Sequence, residues 1–326
     1  MTLPAAVVGD ELMALATLLR KRGYHFTTVT PATHGRVLNR AAAPSAPGLR
    51  DVFGWSKPFT ADQMDPAILA QMQKAGVLRD DAGVLRSAVR ASTIGPQLYF
   101  HSAYPTGDAD AVFLGPDTYR FVRAAGQALD QLISSTGNPG NPGARVRRAA
   151  DIGCGAGPGA IMLARRFPEA EVYAVDINRR ALALAEVNSR LAGASNVACV
   201  HSDMLSALDG EFDLIIANPP YLLDPDQRAY RHGGGELGAG LSLRIVEAAI
   251  ARLAPGGTLL LYTGVAIDNG EDPFLRQAGI LLEAARLSWK YEEIDPDVFG
   301  EELDTPAYAG VDRIAAVMLL ARKGDA

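Results

Sequence analysis

From residue 146 onward, short aliphatic runs alternate with segments whose apolar residues recur every three or four positions. Residues 148–152, 172–177, 197–201 and 212–217 read as buried strands, with helices over 161–166 and 179–191 between them. The pattern continues through a helix at 241–253, a turn at Pro255-Gly256-Gly257, a strand at 258–263 and two last strand candidates at 285–294 and 313–320. Strands alternating with helices predict βαβ units, a parallel sheet and right-handed crossovers.

Ahead of this region the pattern changes. Leu12, Leu15, Leu18 and Leu19 lie on one helical face within 10–22, which stops at Gly23. A Pro- and Ala-rich stretch at 31–47 interrupts the pattern, and residues 65–75 form a second helix with Pro66 in its first turn. A hairpin follows: 76–79, a turn at Asp80-Asp81-Ala82-Gly83, then 84–86 running on towards Ile94. Helices followed by a hairpin read as a small α+β, winged-helix-like module. A helix over 118–133 and a Gly-, Asn- and Pro-rich loop at 134–143 lead into the alternating region. The expected division is an accessory or substrate-recognition domain at 1–108 and a catalytic domain at 109–326.

Composition narrows the class. With 48% hydrophobic and 21% charged residues, neither disorder nor membrane residence is indicated. The longest apolar stretch, 314–321, is too short to span a bilayer. Arg20, Lys21 and Arg22 follow the first apolar residues instead of preceding them, the wrong order for a secretory signal. Only Cys154 and Cys199 are present, too few for a disulfide framework or a zinc site, so no metal is expected and a cytoplasmic location fits. Through Asp108 there are 11 basic and 8 acidic residues, and after it 20 and 29, so the front carries +3 and the back −9. A basic front can help an enzyme approach a polyanion, though a net of this size is also ordinary surface scatter.

The sharpest chemical signal is Asp151-Ile152-Gly153-Cys154-Gly155-Ala156-Gly157-Pro158-Gly159, where a strand ends and a helix begins. Glycines there permit a tight turn and leave no Cβ between backbone and ligand. Nineteen positions after Gly157 the next strand ends in Asp176, followed by Ile177. A carboxylate there accepts the two ribose hydroxyls of a nucleoside. Gly155, Gly157 and Ala160 also satisfy a dinucleotide fingerprint, so a nicotinamide oxidoreductase is the remote alternative.

Two features favour S-adenosylmethionine (SAM). Asp151 is placed to hold the cationic amino end of its methionine, and Asn218-Pro219-Pro220-Tyr221 follows the fourth strand. An amide or exocyclic amine nitrogen has its lone pair delocalised and is a poor nucleophile. The Asn218 oxygen and the Pro219 carbonyl can accept from such an NH2 group, Tyr221 can stack on its planar face, and the prolines stiffen the loop. No strong general base is evident; His232 is a candidate proton acceptor, with a solvated loop histidine as the plainer reading.

At these motifs the chain resembles the class I SAM-dependent methyltransferases, over about residues 112–323. The resemblance implies a doubly wound, mostly parallel, seven-stranded Rossmann-like sheet, SAM as cofactor with S-adenosylhomocysteine as product, cofactor contacts from Asp151, Gly153, Cys154, Gly155, Gly157, Asp176, Ile177 and Asn218, and Asp203 and Met204 beside the adenine. Asn-Pro-Pro-Tyr resembles the signature of N-methyltransferases acting on protein glutamine, adenine N6 or guanine N2. The glycine-rich stretch 232–241, leading into a helix with Arg244, resembles the HemK-like protein-glutamine methyltransferases, and Phe113-Leu114-Gly115-Pro116-Asp117-Thr118 is similar to a segment found there and in ribosomal-RNA guanine methyltransferases. The expected partner is a macromolecule, a release-factor-like protein slightly ahead of rRNA or DNA, with no membrane. The acidic run Glu292, Glu293, Asp295, Asp297, Glu301, Glu302 and Asp304 reads as a solvated loop that would repel phosphates if it lined the acceptor entrance. A scaffold that keeps SAM only as a structural ligand is the third reading.

Overall fold

A computed structural model describes residues 8–40, 46–135, 146–228 and 230–325. Most of the loop expected at 134–143 lies outside the described residues, as does part of the Pro- and Ala-rich stretch.

The front segment begins with α1 (Val8–Lys21), α2 (Pro31–Leu38), α3 (Leu49–Phe53) and α4 (Pro66–Lys74). Asp65 caps α4 by accepting from the amides of Ala67 and Ile68, and Pro66 occupies the first turn, where it forfeits no internal bond. The same logic creates α2 inside the Pro- and Ala-rich stretch: Thr30 accepts from the Thr33 amide and Pro31 opens the helix. Composition alone hides that start signal. Two hairpins follow, β1 (Leu78–Asp81) with β2 (Val84–Ser87), and β3 (Val89–Ile94) with β4 (Gln97–Ser102). The strand expected to run from 84 towards Ile94 is thus two strands, parted at Ala88, which belong to different sheets.

The helix α5 (Pro116–Ser135) leads to the main sheet. Its strands are β5 (Arg148–Ile152), β6 (Glu171–Asp176), β7 (Val197–His201), β8 (Phe212–Ala217), β9 (Leu253–Asp268), β10 (Ser288–Asp295) and β11 (Val311–Arg322), in the spatial order β10-β11-β9-β8-β5-β6-β7. Only β11 runs against the rest. The doubly wound, seven-stranded sheet expected of the sequence is therefore present. Between strands stand α6 (Pro158–Arg166), α7 (Arg179–Ala192), α8 (Gly240–Arg252) and α9 (Pro273–Ala284). The expected turn at 255–257 is a register shift inside β9, where Phe212 faces Leu253 but Leu214 faces Thr258.

Alternate residues of the strands feed two cores. Leu214, Ile216, Leu260 and Tyr262 enter one cluster, and Ile215, Ala217, Leu259 and Leu261 the other. The first cluster continues without a break into Leu12, Leu15, Leu19 and Phe26 of the front segment. A polar clasp reinforces that junction. The buried Asn188 of α7 accepts from the Phe100 amide (2.8 Å) and donates to the carbonyls of Phe100 (3.0 Å) and Ala156 (2.9 Å), tying β4 to the loop after β5. Breaking such a buried network costs about 1–3 kcal/mol.

The chain runs outward from the middle of the sheet in two directions, β5 to β6 and β7 on one side and β8 to β9 on the other. Ligands of open α/β sheets bind beyond the strand ends at such a reversal. Ile152 and Ala217 are paired in register at that point, so Gly153 and Asn218 emerge side by side.

Candidate active site

A cavity of 540 Å³ opens at this reversal. It is lined by Asp151, Gly153, Cys154, Gly155, Asp176, Ile177, Asp203, Met204, Asn218, Pro219, Pro220 and Tyr221. Every nominated site residue except Gly157 is among them. Gly157 instead begins α6 in the left-handed region (φ +86°), and a Cβ there would stand 3.1 Å from the Ala185 Cβ on α7. Its glycine serves the turn and the close approach of α6 to α7.

The loop after β5 is shaped by backbone bonds. The amides of Gly153 (2.8 Å) and Cys154 (3.0 Å) both donate to the Val175 carbonyl at the end of β6. The Gly155 amide donates to Asp176 Oδ2 (2.9 Å), and the Asn178 amide to Asp176 Oδ1 (2.8 Å). Burial raises the Asp176 pKa above the usual carboxylate range, against the pull of these bonds. Ile177 follows it and is 57% exposed, an aliphatic face offered to the cavity. Across from it, Arg244 of α8 holds Asp203 at 2.9 Å.

Asp151 sits beneath the loop. It accepts from the Ala160 amide at 2.7 Å, inside the first turn of α6. Burial pushes its pKa up to about 7; the Ala160 bond opposes the shift and Asp176 nearby adds to it. One oxygen is therefore engaged at the helix start, a contact the sequence did not suggest.

The loop after β8 is shaped by side chains. Asn218 Nδ2 donates to Asp117 Oδ2 (3.1 Å), and the hydroxyls of Tyr221 (2.6 Å) and Tyr262 (2.9 Å) donate to Asp117 Oδ1. Asn218 Oδ1 is buried and has no hydrogen-bond partner among the described residues. The Tyr221 ring is 5% exposed, lies against Gly264 and meets Phe299 edge-on at 5.8 Å. With its hydroxyl on Asp117 and its ring packed on Gly264 and Phe299, Tyr221 anchors the loop, and it lines the cavity together with Phe113, Tyr230 and Phe299.

The glycine-rich stretch packs directly on this loop. A Cβ on Gly233 would stand 2.7 Å from the Tyr221 Cα, and one on Gly238 2.1 Å from the Tyr221 carbonyl oxygen. Only hydrogen fits at either position. The described residues between 222 and 232 are strapped on both sides. Tyr230 donates to the Thr106 carbonyl (2.7 Å) and stacks on Phe113, Arg228 pairs with the buried Asp224, and Arg231 pairs with the buried Glu302. His232 does not line the cavity; its Nδ1 accepts from the Asp224 amide at 3.2 Å.

The acidic run is not a uniformly solvated loop. Glu293 pairs with Arg313, Asp295 with Arg120 and Glu302 with Arg231, and none of the seven acids lines the cavity, although Phe299 among them does. Sequence reasoning named Asp117 only within the segment 113–118, without a role, and did not name Tyr262. The local signals for Asp117 are that segment and the helix start at Pro116, and nothing local marks Tyr262 inside its strand.

Among the described residues no helix is long and apolar enough to cross a membrane. Residues 140–269 match the model of the methyltransferase small domain. The chain is 36% identical over 210 residues to the release factor glutamine methyltransferase of Deinococcus radiodurans, covering 60% of this chain and 66% of that protein. It is 34% identical over 153 residues to the release factor glutamine methyltransferase of Bordetella pertussis, covering 42% and 55% respectively. It is 32% identical over 174 residues to the ribosomal protein uL3 glutamine methyltransferase of Xanthomonas campestris, covering 50% and 56%. The chain thus spans between 55% and 66% of the length of these relatives. Residues 140–269 match the methyltransferase small domain, and over stretches of 153 to 210 residues the chain is similar to protein-glutamine methyltransferases.

Proposed function

We propose that this chain is a SAM-dependent N-methyltransferase whose acceptor is the side-chain amide nitrogen of a protein glutamine, with S-adenosylhomocysteine as the second product. The observation that carries the reading is Asn218. Asn218 lines the cavity beside the Gly153–Gly155 turn, yet its Oδ1 is buried without a donor among the described residues. Such an orphan acceptor costs about 1–3 kcal/mol until a donor arrives, and an incoming NH2 group is that donor.

The residues around the turn fit a sulfonium nucleoside. Gly153 and Gly155 have open space where a Cβ would stand. The Asp176 carboxylate suits two ribose hydroxyls, Ile177 gives an apolar face, and Asp203 and Met204 suit the adenine end. The free oxygen of Asp151 suits the cationic amino end. SAM supplies a methyl group on a positively charged sulfur that leaves as a neutral thioether. Asn218 Oδ1 and the Pro219 carbonyl would hold the two N–H bonds of the acceptor, which orients the nitrogen lone pair, perpendicular to the amide plane, towards the methyl carbon. Transfer would form the N–C bond as the S–C bond breaks, and the methylated nitrogen, then strongly acidic, would release one proton to water, so no strong base is required. Pro219 and Pro220 keep the two acceptor oxygens aimed.

Charge supports a protein acceptor over a nucleic acid. Three arginines line the cavity, and each is paired: Arg228 with Asp224, Arg231 with Glu302, Arg244 with Asp203. No guanidinium there is left free to track a phosphate backbone. Release factors and ribosomal protein uL3, named for the relatives, are the partners we propose first. The front segment, which we place at 1–108, contributes Pro31, Tyr104, Pro105, Thr106 and Gly107 to the cavity wall, in keeping with a part in recognising the acceptor. The family match over 140–269 sets the nicotinamide alternative aside.

The test offers purified protein methyl-labelled SAM together with release factors, uL3, ribosomal RNA and DNA in parallel. Label on protein glutamine is expected. Label confined to an adenine or guanine amino group would overturn the acceptor and leave methyl transfer standing.

A further inference from the structure

We propose that Asp117 is a positioning residue that decides which end of the Asn218 carboxamide is offered to the acceptor. The inference rests on the reading of Asn218 given above and extends it to a residue 101 positions away in sequence. A carboxamide has two ends of nearly equal size and opposite hydrogen-bonding sense, so shape alone does not orient it. A carboxylate can only accept. With Asp117 Oδ2 at 3.1 Å, Asn218 must turn its NH2 inward, and Oδ1 is left as the end without a protein partner.

The rest of the cluster keeps Asp117 in that role. The Tyr221 and Tyr262 hydroxyls occupy its other oxygen as donors, so all three polar neighbours call for an acceptor. Arg120, one turn along α5, adds positive potential, and Asp295 holds Arg120 in place at 2.8 Å. The carboxylate also stands at the first turn of α5, where the helix favours negative charge. Burial acts the other way and raises its pKa, opposed by the three hydrogen bonds. Because Tyr221 ends the same loop, one buried group holds both the orientation of Asn218 and the path of the chain that presents it.

The experiment compares wild type with D117N, the exchange variant D117N/N218D, and Y262F. In D117N the single remaining carbonyl oxygen serves either the two tyrosines or Asn218, and a carboxamide nitrogen facing Asn218 draws its oxygen inward. The expected result is a kcat for glutamine methylation lower by about 10–100-fold with SAM affinity within about twofold. In D117N/N218D the acceptor sense at 218 no longer depends on orientation, and kcat should recover at least about tenfold over D117N. Y262F keeps the carboxylate and should stay within about threefold of wild type. A readout independent of activity is hydrogen exchange of the Asn218 side-chain amide by NMR, assigned through its loss in N218A. Its protection should fall about tenfold or more in D117N.

A D117N kcat within about twofold of wild type, a Y262F loss equal to that of D117N, an exchange variant no better than D117N, or unchanged amide protection would each overturn the proposal. If wild type labels no glutamine while D117N still frees a protected Asn218 amide, the positioning stands and the acceptor reading falls.

Discussion

The two loops that meet at the sheet reversal reach their shapes by opposite means. After β5, the turn is set by main-chain bonds to Val175 and by glycines, and its amides and the Asp176 carboxylate satisfy one another. After β8, Asn218 and Tyr221 converge on one buried carboxylate, and a single oxygen is left over. A ligand that stays bound throughout a reaction needs a cradle, and backbone serves well because it has few ways to rearrange. A group that changes bonding during the reaction needs an unsatisfied, aimed atom, and only a side chain held by others supplies one.

Four substitutions or titrations press on that contrast. The largest expected effect is in N218A, where methyl transfer falls by about 10²–10³-fold while SAM affinity measured by calorimetry is unchanged; equal losses in both would merge the two loops into one binding unit. D176N should behave the opposite way, weakening SAM by about 10–100-fold through the loss of charge-assisted bonds and keeping transfer at saturating SAM. G157A adds a Cβ at positive φ against Ala185, so denaturant unfolding should show about 1–3 kcal/mol lost. Its SAM affinity in the folded protein should suffer less than that of D176N.

The last effect is gradual and concerns pH. Asp151 titrates at about 7 in the native chain and near the ordinary carboxylate value when unfolded. Between those values the native state holds a proton that the unfolded state has lost. Its contribution to stability is therefore greatest at low pH and declines as pH rises towards 7, by at most about 1.4 kcal/mol per unit. Denaturant melts between pH 4 and 8 should show this slope in wild type and a shallower one in D151N. Burial shifts Asp176 in the same direction, so part of the slope should remain in D151N.

The same contrast explains what was legible in the sequence. Glycine spacing and strand-ending carboxylates are themselves the geometry of the first loop, so Gly153, Gly155 and Asp176 were legible, and all three line the cavity. Gly157 shares the spacing but packs on α7, a contact visible only when the two helices meet. In the second loop the tetrapeptide 218–221 was readable, whereas its support was not. Asp117 comes from α5 and Tyr262 from the middle of β9, and no local pattern joins residues that tertiary folding alone brings together. The Tyr221 hydroxyl bond to Asp117 was hidden for that reason. In the front segment, α2 was hidden by its proline, the very residue that starts it.

The most direct test of the central claim is a structure of the protein with S-adenosylhomocysteine and a glutamine-containing segment of a release factor. The account expects the glutamine amide nitrogen within about 2.7–3.2 Å of Asn218 Oδ1, on the side facing the Gly153–Gly155 turn. A glutamine seated elsewhere, with Asn218 Oδ1 still unpartnered and the cofactor product bound away from that turn, would contradict it.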